Sequence, residues 1–78
     1  MRRFLIVFEK TKTGFSAYCP DLPGCVAAGS TRDETEANMV EALQVHIAGL
    51  IEDGLPVPEP HATAEVIALP VDKAAGGN

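Results

Sequence analysis

The sequence predicts an α+β domain of order β-β-β-α-β, a four-stranded mixed sheet with one helix packed on one face. Three observations predict it. Short runs with the alternation or composition of strands occupy residues 3–9, 15–19 and 25–29. A capped stretch with apolar residues at helical spacing follows from Thr31. A further alternating run, Thr63–Leu69, lies beyond a proline-rich connection.

Strand one is read from Arg3 to Glu9. Phe4, Ile6 and Phe8 fall on one face, Leu5 and Val7 on the other. With both faces apolar, this strand is expected to be central in its sheet. Thr11-Lys12-Thr13-Gly14 is polar and ends in glycine, which reads as a hairpin turn. Strand two, Phe15–Cys19, sets Phe15, Ala17 and Cys19 against Ser16 and Tyr18. Cys19-Pro20-Asp21-Leu22-Pro23-Gly24-Cys25 then forces a fixed bend, because proline pins φ and glycine enters angles other residues avoid. Strand three, Cys25–Gly29, is the weakest, since Ala27, Ala28 and Gly29 have low β-propensity.

The helix has the strongest local signals. The Thr31 hydroxyl can cap it while Glu34 reaches back to the Thr31 amide, and Asp33, Glu34 and Glu36 set negative charge at its positive end. Met39, Val40, Leu43, Ile47, Leu50 and Ile51 form an apolar stripe, with Glu34, Asn38, Glu41 and Glu52 opposite. Glu36 falls near the middle of the stripe, in the first turn, where its head can extend past the sheet to water. Gly54 and Pro56 end the helix. Pro56, Pro58 and Pro60 make a stiff spacer, read as the connection to the last strand rather than a ligand for a proline-binding module. Strand four opposes Ile67 and Leu69 to Val66 and Ala68, and Pro70 ends it. Residues 1–70 thus read as one domain and 71–78 as a frayed tail.

The chain has 78 residues, so its core is small and self-association is a natural remedy. The helix must cover one sheet face. The other face, with Leu5 and Val7 or their opposite partners, and the sheet edges are left for a homodimer or homotetramer. The formal net charge of −5 disfavours direct nucleic-acid binding and suits a basic partner, or simply maintains solubility. Phe4–Phe8 is too short an apolar run for a signal core or membrane span, so a cytoplasmic location is expected. Cys19 and Cys25 are expected to be reduced there and to act as small hydrophobes, since their spacing fits neither a zinc pair nor a redox motif.

No constellation for catalysis, metal or cofactor binding stands out. His46 sits on the flank of the helical stripe and His61 follows the proline spacer. The glycines form no phosphate-cradling loop. Asp21 beside proline is expected to accept hydrogen bonds from nearby backbone amides. Retained nuclease chemistry would require Asp21, Glu9 and Glu65 to converge on a divalent metal. A non-enzymatic binding protein is the favoured reading.

Phe15–Tyr18, Pro20-Asp21-Leu22-Pro23-Gly24-Cys25, Gly29-x-Thr31, Glu34-x-x-Ala37-Asn38 and Gly54-x-Pro56-x-Pro58-x-Pro60, in that order, resemble the HicB-type antitoxins. The resemblance runs from about Arg3 to Leu69. It implies a reduced ribonuclease H-like fold without that fold's catalytic carboxylates. It further implies an antitoxin that masks the active site of a small basic, mRNA-cleaving HicA-type toxin, and assembly into dimers or larger oligomers. The loop Asp21, Leu22, Pro23 and Gly24 is the candidate partner-binding segment, offering shape and a carboxylate, unless it only closes the corner between strands two and three. Many members continue into a helix-turn-helix or ribbon-helix-helix domain. This sequence shows no such segment, so direct DNA binding by this chain is not expected. Glu36 stands where the family usually has an apolar residue, which implies a slightly different helix seat. The alternative reading is a stand-alone oligomeric HicB-like scaffold without a toxin.

Overall fold

The computed structural model of the chain describes residues 1–71. Three strands, β1 (Val7–Lys10), β2 (Phe15–Tyr18) and β3 (Val26–Gly29), precede one helix, α1 (Arg32–Glu52). The strands form an antiparallel meander in the order β1-β2-β3, so β2 is central and β1, expected to be central, is an edge strand. Val7 faces Tyr18, and Tyr18 in turn faces Val26; Phe8, Ala17 and Ala27 form the neighbouring row. The expected hairpin turn closes β1 onto β2 through the Thr11 amide on the Gly14 carbonyl (2.8 Å), and the Gly14 amide donates to the Thr11 hydroxyl (3.0 Å).

β1 starts at Val7 rather than Arg3. Its partner β2 ends opposite Val7 at Tyr18, where the chain turns into the Cys19–Cys25 loop, so Phe4–Ile6 have no strand to face. The larger difference is at the other end. Thr63–Leu69 forms no strand, and the described sheet has three antiparallel strands rather than four in a mixed arrangement. A strand is defined by its pairing, and this segment meets none: every residue from Thr63 to Val71 is exposed. The expected tail lies, apart from Val71, outside the described residues.

The helix packs on β3 and β2. Ala17, Cys19, Leu22, Cys25 and Met39 are the buried apolar residues, with Phe4, Ile6, Phe8, Ala27, Ala42, Leu43, Ile47 and Leu50 packed around them. Val40 and Ile51, expected in the buried stripe, lie at its margin and are exposed. Asn38 is not turned away from the sheet: its side-chain amide donates to the Ala28 carbonyl (2.8 Å). Glu36 extends to solvent, as its first-turn position predicts, and pairs with Arg32 (3.0 Å).

Both helix ends follow the local sequence. The Thr31 hydroxyl accepts from the Glu34 amide (3.0 Å). The Glu34 carboxylate reaches one residue further back than expected, accepting from the amide and the hydroxyl of Ser30 (both 2.9 Å). At the C-terminus the Leu55 amide bonds the Leu50 carbonyl and the Gly54 amide the Ile51 carbonyl, with Gly54 at φ 72°, a Schellman motif. The helix start sits tight on β3. A Cβ at Gly29 would lie 2.8 Å from both the Thr35 amide nitrogen and its hydroxyl, so only glycine permits this approach. Thr35 itself is fully buried and donates to the Thr31 carbonyl (2.7 Å).

A candidate interaction surface around the Cys19–Cys25 loop

The loop is two successive β-turns sharing one residue. The Leu22 amide bonds the Cys19 carbonyl (3.1 Å), and the Cys25 amide bonds the Leu22 carbonyl (3.0 Å). Each turn has proline at its second position, Pro20 and Pro23, where a φ near −65° is required. Gly24, third in the second turn, has φ 84°, as a type II turn demands. The Cys19 amide to the Cys25 carbonyl (3.2 Å) closes the base.

The four candidate residues are placed differently. Leu22, at the junction of the turns, is 1% exposed and belongs to the core. Asp21 is half-buried, and its Oδ2 accepts from the Ala62 amide (3.1 Å). Pro23 and Gly24 are exposed. The loop therefore presents Pro23 and Gly24 outward, while Leu22 holds it down and Asp21 grips the segment that follows the helix. Cys19 and Cys25 are free and buried, as small hydrophobes would be. Burial, and then the neighbouring Cys19, push the Cys25 thiol above its usual value.

The grip of Asp21 has a counterpart that the sequence did not disclose. The Arg2 guanidinium donates to the Val57 carbonyl (2.8 Å) and pairs with Glu59 (3.0 Å). Arg2 and Asp21 together tie residues 57–62 to the body. Nothing in the local sequence around Arg2 signals a contact so distant along the chain. Asn38 was equally hidden, because a side chain bonding another element's carbonyl leaves no periodic trace.

On the sheet face away from the helix, the row Val7-Tyr18-Val26 is the apolar feature, with Tyr18 and Val26 exposed. His46 is half-buried on the helix flank beside Gly24 and Val26, and His61 is exposed. Among the described residues, no three His, Cys, Asp or Glu side chains cluster in a way that could hold a metal ion. No helix among them is long and apolar enough to cross a membrane.

A family model described as "HicB_like antitoxin of bacterial toxin-antitoxin system" matches residues 4–74. The chain belongs to this HicB-like family. Its relatives include "Antitoxin HicB 2" of Photorhabdus laumondii, 31% identical over 94% of this chain and 53% of that protein. An uncharacterized 14.9 kDa protein of Haemophilus phage HP1 is 37% identical over 83% of this chain and 49% of its own length. The chain thus spans about half the length of these two relatives. A "UPF0150 protein" of Synechocystis is 37% identical over 72% of each chain. Among solved structures, a chain of a "HicA3 and HicB3 toxin-antitoxin complex" superposes with a TM-score of 0.62 at 39% identity. That match covers 76% of this HicB-like chain and 72% of the other.

Proposed function

We propose that this HicB-like chain is a non-enzymatic antitoxin that binds and masks a small basic, mRNA-cleaving HicA-type toxin in the cytoplasm. The observation that carries the reading is the likeness, at 39% identity, to a chain from a toxin–antitoxin complex. The acidic balance, −5 over 78 residues, suits a basic partner. Pro23 and Gly24, backed by Leu22 and Asp21, supply a rigid edge to such a contact. The exposed row Tyr18 and Val26 continues it over the open sheet face. A rigid surface loses little conformational freedom on binding.

In this reading the fold is a reduced ribonuclease H-like core, and the working unit is a homodimer or homotetramer. The three-stranded meander followed by a helix supports the first. The exposed Val26, Ile67, Leu69 and Val71 on so small a body support the second.

The test is to read the sequence beside the gene for a small basic open reading frame and to co-express the two; a gene with no such neighbour would count against the reading. Rescue of growth and co-purification of the two chains are expected. A soluble, folded chain that neither rescues growth nor co-purifies would overturn the reading and leave the stand-alone scaffold in its place.

A further inference from the structure

The molecule contains an empty seat for a strand and an extended, alternating segment that pairs with nothing. The hydrogen-bond alternation locates the seat. Thr11 bonds Gly14, so on β1 the residues bonded to β2 are Glu9 and Val7, two and four positions back. The peptide groups of Phe8 and Lys10, and of Ile6 in the extended lead-in, therefore point outward. No backbone or side-chain group among the described residues bonds them. The same alternation, set by Cys19 on Cys25, turns Val26 and Ala28 outward on β3, where Asn38 already occupies the Ala28 carbonyl. With one outward carbonyl of β3 already taken, β1 is the more open of the two edges.

An apolar groove lies beside the N-terminal end of the chain that leads into that strand. The helix sits over β3 and β2, and between its far flank and the N-terminal residues lies a cleft of about 700 Å³ lined by Met1, Arg2, Val40, Leu43, Ile47 and Ile51. The unpaired segment is residues 63–71. It alternates so that Ile67, Leu69 and Val71 share a face, and Val66, Ile67, Leu69 and Val71 are 99, 68, 74 and 79% exposed. It leaves the body at Ala62, pinned by Asp21, and the long axis of the molecule reaches 55 Å. The radius of gyration is 16.2 Å, against about 11–12 Å for a compact chain of this length.

We infer that two copies of this chain exchange residues 63–71, each arm pairing along the outer edge of the other's β1 with Ile67 and Leu69 in the groove beneath α1. The inference rests on the self-association proposed above and names its means. A second copy is the fitting occupant because it brings the arm that matches the seat and has the same seat to offer. A two-fold exchange closes with no edge of β1 left over.

The test uses the full chain and an Ile67→Asp/Leu69→Asp variant, with mass from light scattering and amide exchange at Ile6 and Phe8. The wild type is expected to be a dimer or a multiple of it, with those two amides protected. The variant is expected to fall to the 8.2 kDa protomer, with its far-ultraviolet dichroism unchanged and both amides exchanging freely. A monomeric wild type would overturn both self-association and exchange. A variant that stays dimeric, or one that dissociates with the Phe8 amide still protected, would overturn the exchange alone. A variant that loses its dichroism is replaced by Val71→Asp/Leu69→Asp, read in the same way.

Discussion

Leu22→Ala separates the two roles of the bend. Leu22 is 1% exposed and is the side chain that the double turn drives into the core between Cys19, Cys25 and Met39. Removing three carbons from such a site costs the transfer free energy plus the cavity left behind, about 2–5 kcal/mol. The turn hydrogen bonds at Cys19 and Cys25 restrain collapse, while the loop's position at the surface allows some relaxation, so a value near 3 kcal/mol is expected. That is roughly a hundredfold in the folding equilibrium, and for a domain of this size a fall in Tm of about 12–24 °C. Urea denaturation followed by the dichroism of the 21-residue helix measures it, at matched protomer concentration because self-association adds to apparent stability. A loss below about 1 kcal/mol at unchanged m would refute the reasoning. It would mean that Leu22 is free to leave the core, and the segment would then be a contact loop with no structural task.

Two further substitutions probe the helix start. Gly29→Ala sets a Cβ against the Thr35 backbone nitrogen and hydroxyl at 2.8 Å, and the helix must shift off β3. A destabilisation of about 1–3 kcal/mol in the same urea assay is expected, and a neutral result would show that the approach is not tight. The Glu34 carboxyl is held below its usual value by the Ser30 amide and then the Ser30 hydroxyl. A lowered native value stabilises the fold above the unfolded carboxyl's pKa and loses that contribution as pH falls through the native one. The stability difference between wild type and Glu34→Gln should therefore be full at neutral pH and close as acid carries the pH below the ordinary carboxylate range; a gap independent of pH would exclude the charge as its source.

The elements governed by local chemistry were legible in the sequence. Pro20, Pro23 and Gly24 dictate the bend because each restricts or widens its own φ. Thr31 and Gly54 mark the helix ends through groups at most a few residues away. At Glu34 local sequence is nearly sufficient: the cap exists, but the long carboxylate spans to Ser30 rather than to the Thr31 amide. What depends on distant pairing was not legible. Thr63–Leu69 has the alternation of a strand, yet alternation states only that a segment suits a sheet, not where an edge is available to it. The Asn38 bond to Ala28 and the Arg2 clamp on Val57 and Glu59 have no periodic signature, because one side chain meeting one remote carbonyl repeats nothing. For the candidate site, the loop's outline was predictable while the split between buried Leu22, engaged Asp21 and exposed Pro23 and Gly24 required coordinates.

On the proposed function, that split changes where attraction to a basic partner would originate. Asp21 is committed to Ala62, so the loop presents little charge of its own. Six of the eleven carboxylates, Asp33, Glu34, Glu36, Glu41, Glu52 and Asp53, lie on the helix or its cap, all exposed, against Arg32 as its only basic residue. With a screening length near 8 Å at physiological salt, Asp33, Glu34 and Glu41 act together at the start of the helix, while Glu52 and Asp53, about 16 Å further along, make a second negative end; Glu36 is paired with Arg32. Charge of this kind governs how fast an opposite surface arrives, whereas a desolvated, well-fitted patch governs how slowly it leaves. On the proposed function, the helix steers and the rigid rim of Pro23 and Gly24 with Tyr18 and Val26 retains. The fold makes that division possible because the capped helix can carry dense charge on its outer side while its inner side, through Met39, anchors the same loop that a partner would meet.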